Sequence, residues 1–289
     1  MGLSACDSTD HKPVARTAAQ PVGSLCERVQ PTLTGSWKAE DAESTRGLIP
    51  LSDSCWLTDS ADANNRFRIS VSVLPITAED AAEIRKSETF YANQVIVDGG
   101  VGSDSWAVNP SDSGPWLVFR SGERMVKVAK IASDKGQLDA VRAVAKTIDT
   151  LPGGIPAAPA TVQRPECARG TAAAEELLGT SATARRDTIV NGLVRCLWGS
   201  ARGTVFAEAG GMGSAPGTDF SSAKHDAPTQ VAPQIVPVKV GAEGWQHADG
   251  ISYRVGKDTY VTVGAVPQSS MQPAATLALA KAMLPAYGG

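Results

Sequence analysis

The chain has no run approaching the 18 or more consecutive apolar residues that a membrane-crossing helix requires, so no segment reads as a bilayer span. It lacks Cys-x-x-Cys pairs, which removes the usual thiol-redox motif and the closely spaced ligands of a cysteine zinc site. Histidine is scarce: His11, His225 and His247 leave little for a metal centre or a catalytic triad. Clusters of basic residues are missing too. With a formal charge of -3 and a pI near 5.7, the chain lacks the cationic surface that displaces counterions from nucleic acid. Its longest basic run is Arg185-Arg186, which reads as part of an exposed helix face.

What is present points to a duplicated, secreted-type protein. The 289 residues are 42% hydrophobic and 20% charged, an ordinary globular balance. That length accommodates two domains of roughly 100 to 150 residues. Cys26 and Cys55 are separated by the same interval as Cys167 and Cys196, and a tryptophan follows each second cysteine closely (Trp56, Trp198). The equal intervals favour Cys26 with Cys55 and Cys167 with Cys196 over the two crossed connectivities. Each bridge would close a loop of about 29 residues, worth roughly 3 to 4 kcal/mol in the chain-entropy account.

The fifth cysteine, Cys6, ends Leu3-Ser4-Ala5-Cys6, a string that reads as a bacterial lipid-attachment box. Only Met1 to Ala5 precede it, so most of a signal peptide is expected to lie upstream of the given start or to have been trimmed. N-myristoylation at Gly2 is disfavoured because Cys6 occupies the position that needs Ser or Thr. Residues Asp7 to Ser24 are polar, carry Pro13, Pro21 and Gly23, and show no periodicity, which suits a tether.

The two halves read in parallel. Cys26 opens a short helix running toward Leu33, and Cys167 opens its counterpart, where Thr171 to Leu178 is strongly helical with Gly179 as a stop. Phe67, Ile69, Val71 and Val73 alternate with polar residues as in a half-buried strand, answered more weakly by Thr204 to Ala207. Thr77-Ala-Glu-Asp80 forms a capping box for a helix to about Tyr91; the matching region is Thr218 to Asp226. Strands around Val95–Val97 and Val238–Val240 lead to a glycine four residues before a tryptophan: Gly102 with Trp106, Gly241 with Trp245. Glycine-turned hairpins follow at Gly122 and Gly256, and a terminal amphipathic helix closes each half. The fold class is α+β: two similar domains, each an antiparallel sheet packed with helices and stapled by one disulfide. The expected divisions are 1–24, lipobox remnant and tether; 25–152, first repeat; 153–163, linker rich in Pro and Ala; and 164–289, second repeat.

This ordered set of features resembles the envelope lipoproteins of actinobacteria, in the family known as the domain of unknown function 3558 type. That resemblance implies a lipobox followed by a cysteine-stapled domain, whose fold is similar to the extracellular sensor domain of a mycobacterial serine/threonine kinase. The family brings no established reaction, so the resemblance implies envelope binding or sensing. Cys196-Leu197-Trp198 departs from Cys55-Trp56, and the Gly/Ala/Ser-rich segment within 208–217 and the tandem arrangement also depart from the family pattern.

No catalytic motif, cofactor or metal site is read from the chain. Ser221, His225 and Asp226, or His247 with Asp249, could be drawn as nucleophile, base and orienter, a hydrolase reading that spacing alone supports weakly. The segment Gly210–Gly217 fails both the nucleophile elbow, at Met212, and the dinucleotide fingerprint, at Pro216. Trp106 and Trp245 could line a pocket, but the reading favoured is that they anchor each core against its terminal helix. The expectation is therefore a non-enzymatic protein, anchored by lipid to the outer face of the cell membrane. It would bind a small molecule, an envelope component or a protein at its surface or in a groove between its halves. A scaffold or inhibitor that presents an edge strand is the alternative.

Overall fold

A computed structural model of the chain describes residues 24–45, 49–91, 96–108, 114–131, 138–158, 161–190, 192–209, 224, 235–247, 250–255, 259–266 and 272–288. Cys6, His11, Ser221, His225, Asp226, Asp249 and most of the 208–217 segment lie outside the described residues.

The first part of the chain runs α1 (Leu25–Val29), β1 (Trp37–Thr45), β2 (Ser52–Asp59), β3 (Arg66–Ser72), α2 (Ala78–Tyr91), β4 (Ile96–Asp98), β5 (Ser103–Val108), β6 (Trp116–Ser121), β7 (Arg124–Ile131) and α3 (Leu138–Asp149). The second runs α4 (Pro165–Ala168), α5 (Thr171–Leu178), β8 (Ala184–Arg185), β9 (Thr188–Val190), β10 (Leu193–Ser200), β11 (Gly203–Ala209), β12 (Val236–Pro237), β13 (Glu243–His247), β14 (Gly250–Val255), β15 (Thr259–Val266) and α6 (Pro273–Met283).

These strands form two antiparallel sheets. One has the order β4-β5-β6-β7-β3-β2-β1 and the other β12-β13-β14-β15-β11-β10-β8, with β9 also on β10. Taken from β4 and from β12, the two sheets place their strands in the same sequence-relative order.

Local chemistry accounts for the elements. Ser24 and Glu27 exchange side-chain and backbone hydrogen bonds and so satisfy the exposed amides at the start of α1. Thr77 and Asp80 do the same for α2. Gly179 takes the left-handed φ of 66° that ends α5. Cys26 on α1 is bonded to Cys55 on β2, and Cys167 on α4 to Cys196 on β10, each pair 29 residues apart in sequence.

Strand alternation sends Ile69, Val71, Leu117, Phe119, Val126 and Val128 to one face of the first sheet, where Val141, Val144 and Ile148 of α3 cover them. On the second sheet Tyr253, Val261 and Val263 pack beneath Leu177, Leu279 and Met283 of α5 and α6.

Three expectations are corrected. The second-half strand lies at Val236–Pro237 rather than Val238–Val240; Val240 N–H already turns back to the Val238 carbonyl before Gly241, whose φ is +63°. Trp106 and Trp245 are buried as predicted, but not against the terminal helices. Ala107, next to Trp106, faces the α3 side, so Trp106 faces the opposite layer, with Ile84 of α2, Trp116 and Met125. Trp245 likewise stacks on Tyr260, ring centroids 6.1 Å apart. Arg185 and Arg186 are not on a helix: they are 6% and 4% exposed, on β8 and the residue after it.

Candidate functional site

The two sheets meet at an apolar contact. Leu51 and Val73 pack with Ala184, Leu197 and Phe206, and the Leu51 amide donates to Thr204 Oγ1. Beside it the Arg186 guanidinium donates through Nε and Nη2 to the two carboxylate oxygens of Asp53, at 2.8 and 3.0 Å. This pair is a fork-to-fork ion pair whose Arg186 side chain is 5% exposed.

The linker between the halves is pinned. Arg28 donates to the carbonyls of Pro152 and Gly154, Arg124 Nη1 donates to the Pro156 carbonyl, and Val162 forms a parallel bridge with Arg186.

Between the junction and the pinned linker lies a groove of about 540 Å³, within the usual range for a small-molecule site. Its floor comes from the first sheet, where Asp41, Cys55 and Ile69 are consecutive cross-strand partners on β1, β2 and β3. Val71 also lines it, as do Ile155 to Ala158 of the linker, Val162, and Arg186 to Thr188. Ser24 and Leu25, at the start of α1, close one end.

Charge is concentrated at the junction. Burial lowers the Arg124 guanidinium below its ordinary pKa; the Asp53 carboxylate opposes that shift and the Arg186 cation adds to it. Arg124 Nε donates to the Ser72 carbonyl. Burial raises the Asp187 carboxyl above the usual carboxylate range, against three opposing donors: the Arg164 amide at 2.9 Å, Arg185 Nη2 at 2.6 Å and the Leu197 amide at 3.3 Å.

The Asp187 carboxylate also lies with Cys167 and Cys196, their ligand atoms all within 4.8 Å. Both sulfurs are tied up in the disulfide, so this cluster offers no thiolate to a metal.

Of the candidate site residues proposed from sequence, Cys55 is the one among the described residues that lines the groove. Trp106 and Trp245 lie on the far faces of their sheets. His247 Nε2 is 2.8 Å from Ser252 Oγ, a partner that sequence spacing did not suggest, but Ser252 is wholly buried and shares its hydroxyl with Tyr260 and Thr262. That network ties β13, β14 and β15 together and gives a substrate carbonyl no approach.

The groove residues missed from sequence are Asp53, Arg124 and Arg186. No local signal marks the first two, and the third was visible only as a dipeptide of unassigned environment. No helix among the described residues is long and apolar enough to cross a membrane. Comparison of the chain with protein-family models, with curated proteins and with solved structures finds no match.

Proposed function

We propose that the chain is a lipid-anchored binding or sensing protein of the extracytoplasmic space, held to the outer face of the membrane through Cys6. In this reading, two copies of one disulfide-stapled α+β module, 25–152 and 164–289, flank the 153–163 linker. The common strand order of the two sheets, the repeated 29-residue cysteine spacing and the resemblance to actinobacterial envelope lipoproteins support it.

The observation that carries the binding reading is the groove, because both halves and the linker build it and neither half alone would enclose it. Pockets at such junctions are favoured ligand sites. Its lining is mainly apolar, with a charged cluster at the junction. That arrangement can hold and orient a ligand, and among the described residues it brings no nucleophile to a base, which supports binding over catalysis as the proposed role.

The scaffold alternative is less well supported. β1, the edge strand of the first sheet, carries Lys38, Glu40 and Asp41, and charges of this kind discourage strand addition.

The test is affinity capture from envelope extract, analysed for lipid and small molecules, with Ala157→Trp/Val162→Trp as the groove-filled control. Enrichment by the native protein and its loss in the control are expected. Equal enrichment by both proteins would move binding away from the groove.

A further inference from the structure

Arg124 stands at the first position of β7, directly after the Gly122-Glu123 turn. Its Nε and Nη1 are occupied by the carbonyls of Ser72 and Pro156. Among the described residues no carboxylate lies within ion-pair distance of it. Asp53 is an opposing charge that acts on it, but both Asp53 oxygens are engaged by Arg186.

The charged residues that line the groove are Asp41, Asp53, Arg124, Arg186 and Asp187. Asp187 is matched by Arg185, and Asp41, exposed on β1, lies beside Cys55 at the far edge of the floor from Arg124's strand. Among the described residues, two guanidinium groups lie beside the Asp53 carboxylate, and Arg186 takes both of its oxygens.

A half-buried cation held by neutral carbonyls gives up hydration that those carbonyls only partly replace. An anion arriving beside it would restore the balance, and a guanidinium with two edges already fixed is oriented to receive it. Val71, Ile69 and Leu25 give the same groove an apolar lining, with Ile155 of the linker more exposed beside them.

Resting on the groove-binding reading above, we infer that the ligand is a single-chain amphiphile with one anionic group, its head against Arg124 and its apolar tail against the lining of Val71, Ile69 and Leu25. A carboxylate and a phosphate ester meet this description equally, and the shared chemistry is one anionic oxygen cluster on an aliphatic chain.

The test titrates the full chain, disulfides intact, with four probes below their micelle concentrations: dodecanoate, dodecyl phosphate, dodecanol and dodecyltrimethylammonium. Calorimetry or displacement of an environment-sensitive dye reads the affinity. Native protein is expected to bind the two anions at least tenfold more tightly than dodecanol, about 1.4 kcal/mol, and the cation least. The ratio of dodecanoate to dodecyl phosphate separates the two sources of the anion.

Arg124→Met is expected to bring dodecanoate to within about twofold of dodecanol, and Arg124→Lys to restore part of the preference, since charge is kept and the fork is lost. Equal affinity for dodecanoate and dodecanol in the native protein overturns the anion site and leaves the groove reading standing. A preference that survives Arg124→Met also overturns it. Binding of none of the four probes overturns the groove reading itself. If Arg124→Met does not fold, the native protein's ranking of anion, neutral and cation decides the matter.

Discussion

The groove exists only if the two sheets are seated against each other as described, and Gly199 tests that seating. Gly199 lies on β10, and a Cβ built on it would come within 2.7 Å of Leu51 Cδ2 and 2.8 Å of Leu51 Cβ, across the junction. The methyl end of a leucine can swing away; its Cβ is fixed by the backbone. Gly199 has no positive φ, so alanine is conformationally acceptable there. Two terms of opposite sign therefore compete in Gly199→Ala. Restricting the unfolded chain stabilises by about 0.4–1 kcal/mol. Forcing a methyl into a filled contact costs roughly 1–3 kcal/mol. The steric term wins, and Gly199→Ala is expected to destabilise by about 1 kcal/mol.

Leu51→Gly, which removes the Cβ together with the rest of the side chain at a site 1% exposed, should cost at least the roughly 2–5 kcal/mol of the cavity it leaves. In that background the clash is gone and Gly199→Ala becomes stabilising by up to about 1 kcal/mol. The reversal of sign is the diagnostic. Urea unfolding of the four proteins under non-reducing conditions, with m values compared to confirm a common unfolded state, gives the double-mutant cycle. Gly199→Ala having the same sign in both backgrounds would show that Leu51 does not sit on Gly199, and the junction that frames the groove would fall with it.

Three further outcomes follow from the geometry. Replacing Cys26 and Cys55 by serine opens a loop spanning 29 residues and should lower stability by about 3–4 kcal/mol at equilibrium, as should the Cys167/Cys196 pair; a loss below about 1 kcal/mol would mean that the reduced chain retains the loop's structure. Gly241→Ala combines a φ of +63° with a Cβ only 2.3 Å from the Arg254 carbonyl oxygen, so it should melt earlier than Gly102→Ala, where the closest contact is 2.8 Å; the reverse order would refute the comparison. Burial pushes the Tyr253 and Tyr287 hydroxyls well above the ordinary phenol range, with the neighbouring Tyr253, Glu208 and Asp187 charges adding to the shift at Tyr287. A raised folded-state pKa leaves stability intact below the unfolded phenol's value of about 10 and removes it as pH rises beyond, at about 1.4 kcal/mol per pH unit for each tyrosine. Because the Tyr287 hydroxyl has no protein hydrogen-bond partner among the described residues, Tyr287→Phe should leave neutral stability nearly unchanged and move alkaline unfolding to higher pH, and an unchanged alkaline midpoint would count against this account.

Much of the scaffold was legible because its signals are local. The Gly179 stop, the Thr77–Asp80 capping box, the alternation through Phe67, Ile69 and Val71, and the equal cysteine intervals each report on residues a few positions away, and the structure places them accordingly. Face assignment was less accessible. A one-residue step decides whether Trp106 or Ala107 meets α3, and the sequence shows that both are apolar without showing which side the helix takes. In the terminal helix of the second half the periodicity picks out Leu277, Ala280 and Leu284; Ala280 is buried and the two leucines pack half-buried against the core, while Ala275, Leu279 and Met283 complete the buried face. Arg186 was misread for a different reason. Its partner Asp53 lies 133 positions earlier, and no window along the chain contains both.

The same logic explains why the groove itself stayed hidden. On the proposed duplication, positions that the fold requires recur: Gly102 beneath Phe119 and the Arg120 carbonyl corresponds to Gly241 beneath Tyr253 and the Arg254 carbonyl. The ion pair of Arg120 with Asp104 is likewise answered by Arg254 with Glu243. The groove charges do not recur. Counting back from the disulfide cysteines on β2 and β10, the second-half counterpart of Asp53 is Val194. The cross-strand registers Phe119 with Val126 and Tyr253 with Val261 make Thr259 the counterpart of Arg124. A fold shared by two copies constrains both alike, while a site at their junction needs each charge only once, on the copy that faces it. Repetition therefore identifies scaffold, and the departures from it at Asp53 and Arg124 mark the residues released for binding. By that reasoning, installing the second-half residue at the cation alone, Arg124→Thr, which keeps the Asp53–Arg186 pair, should spare both sheets and abolish the anion preference.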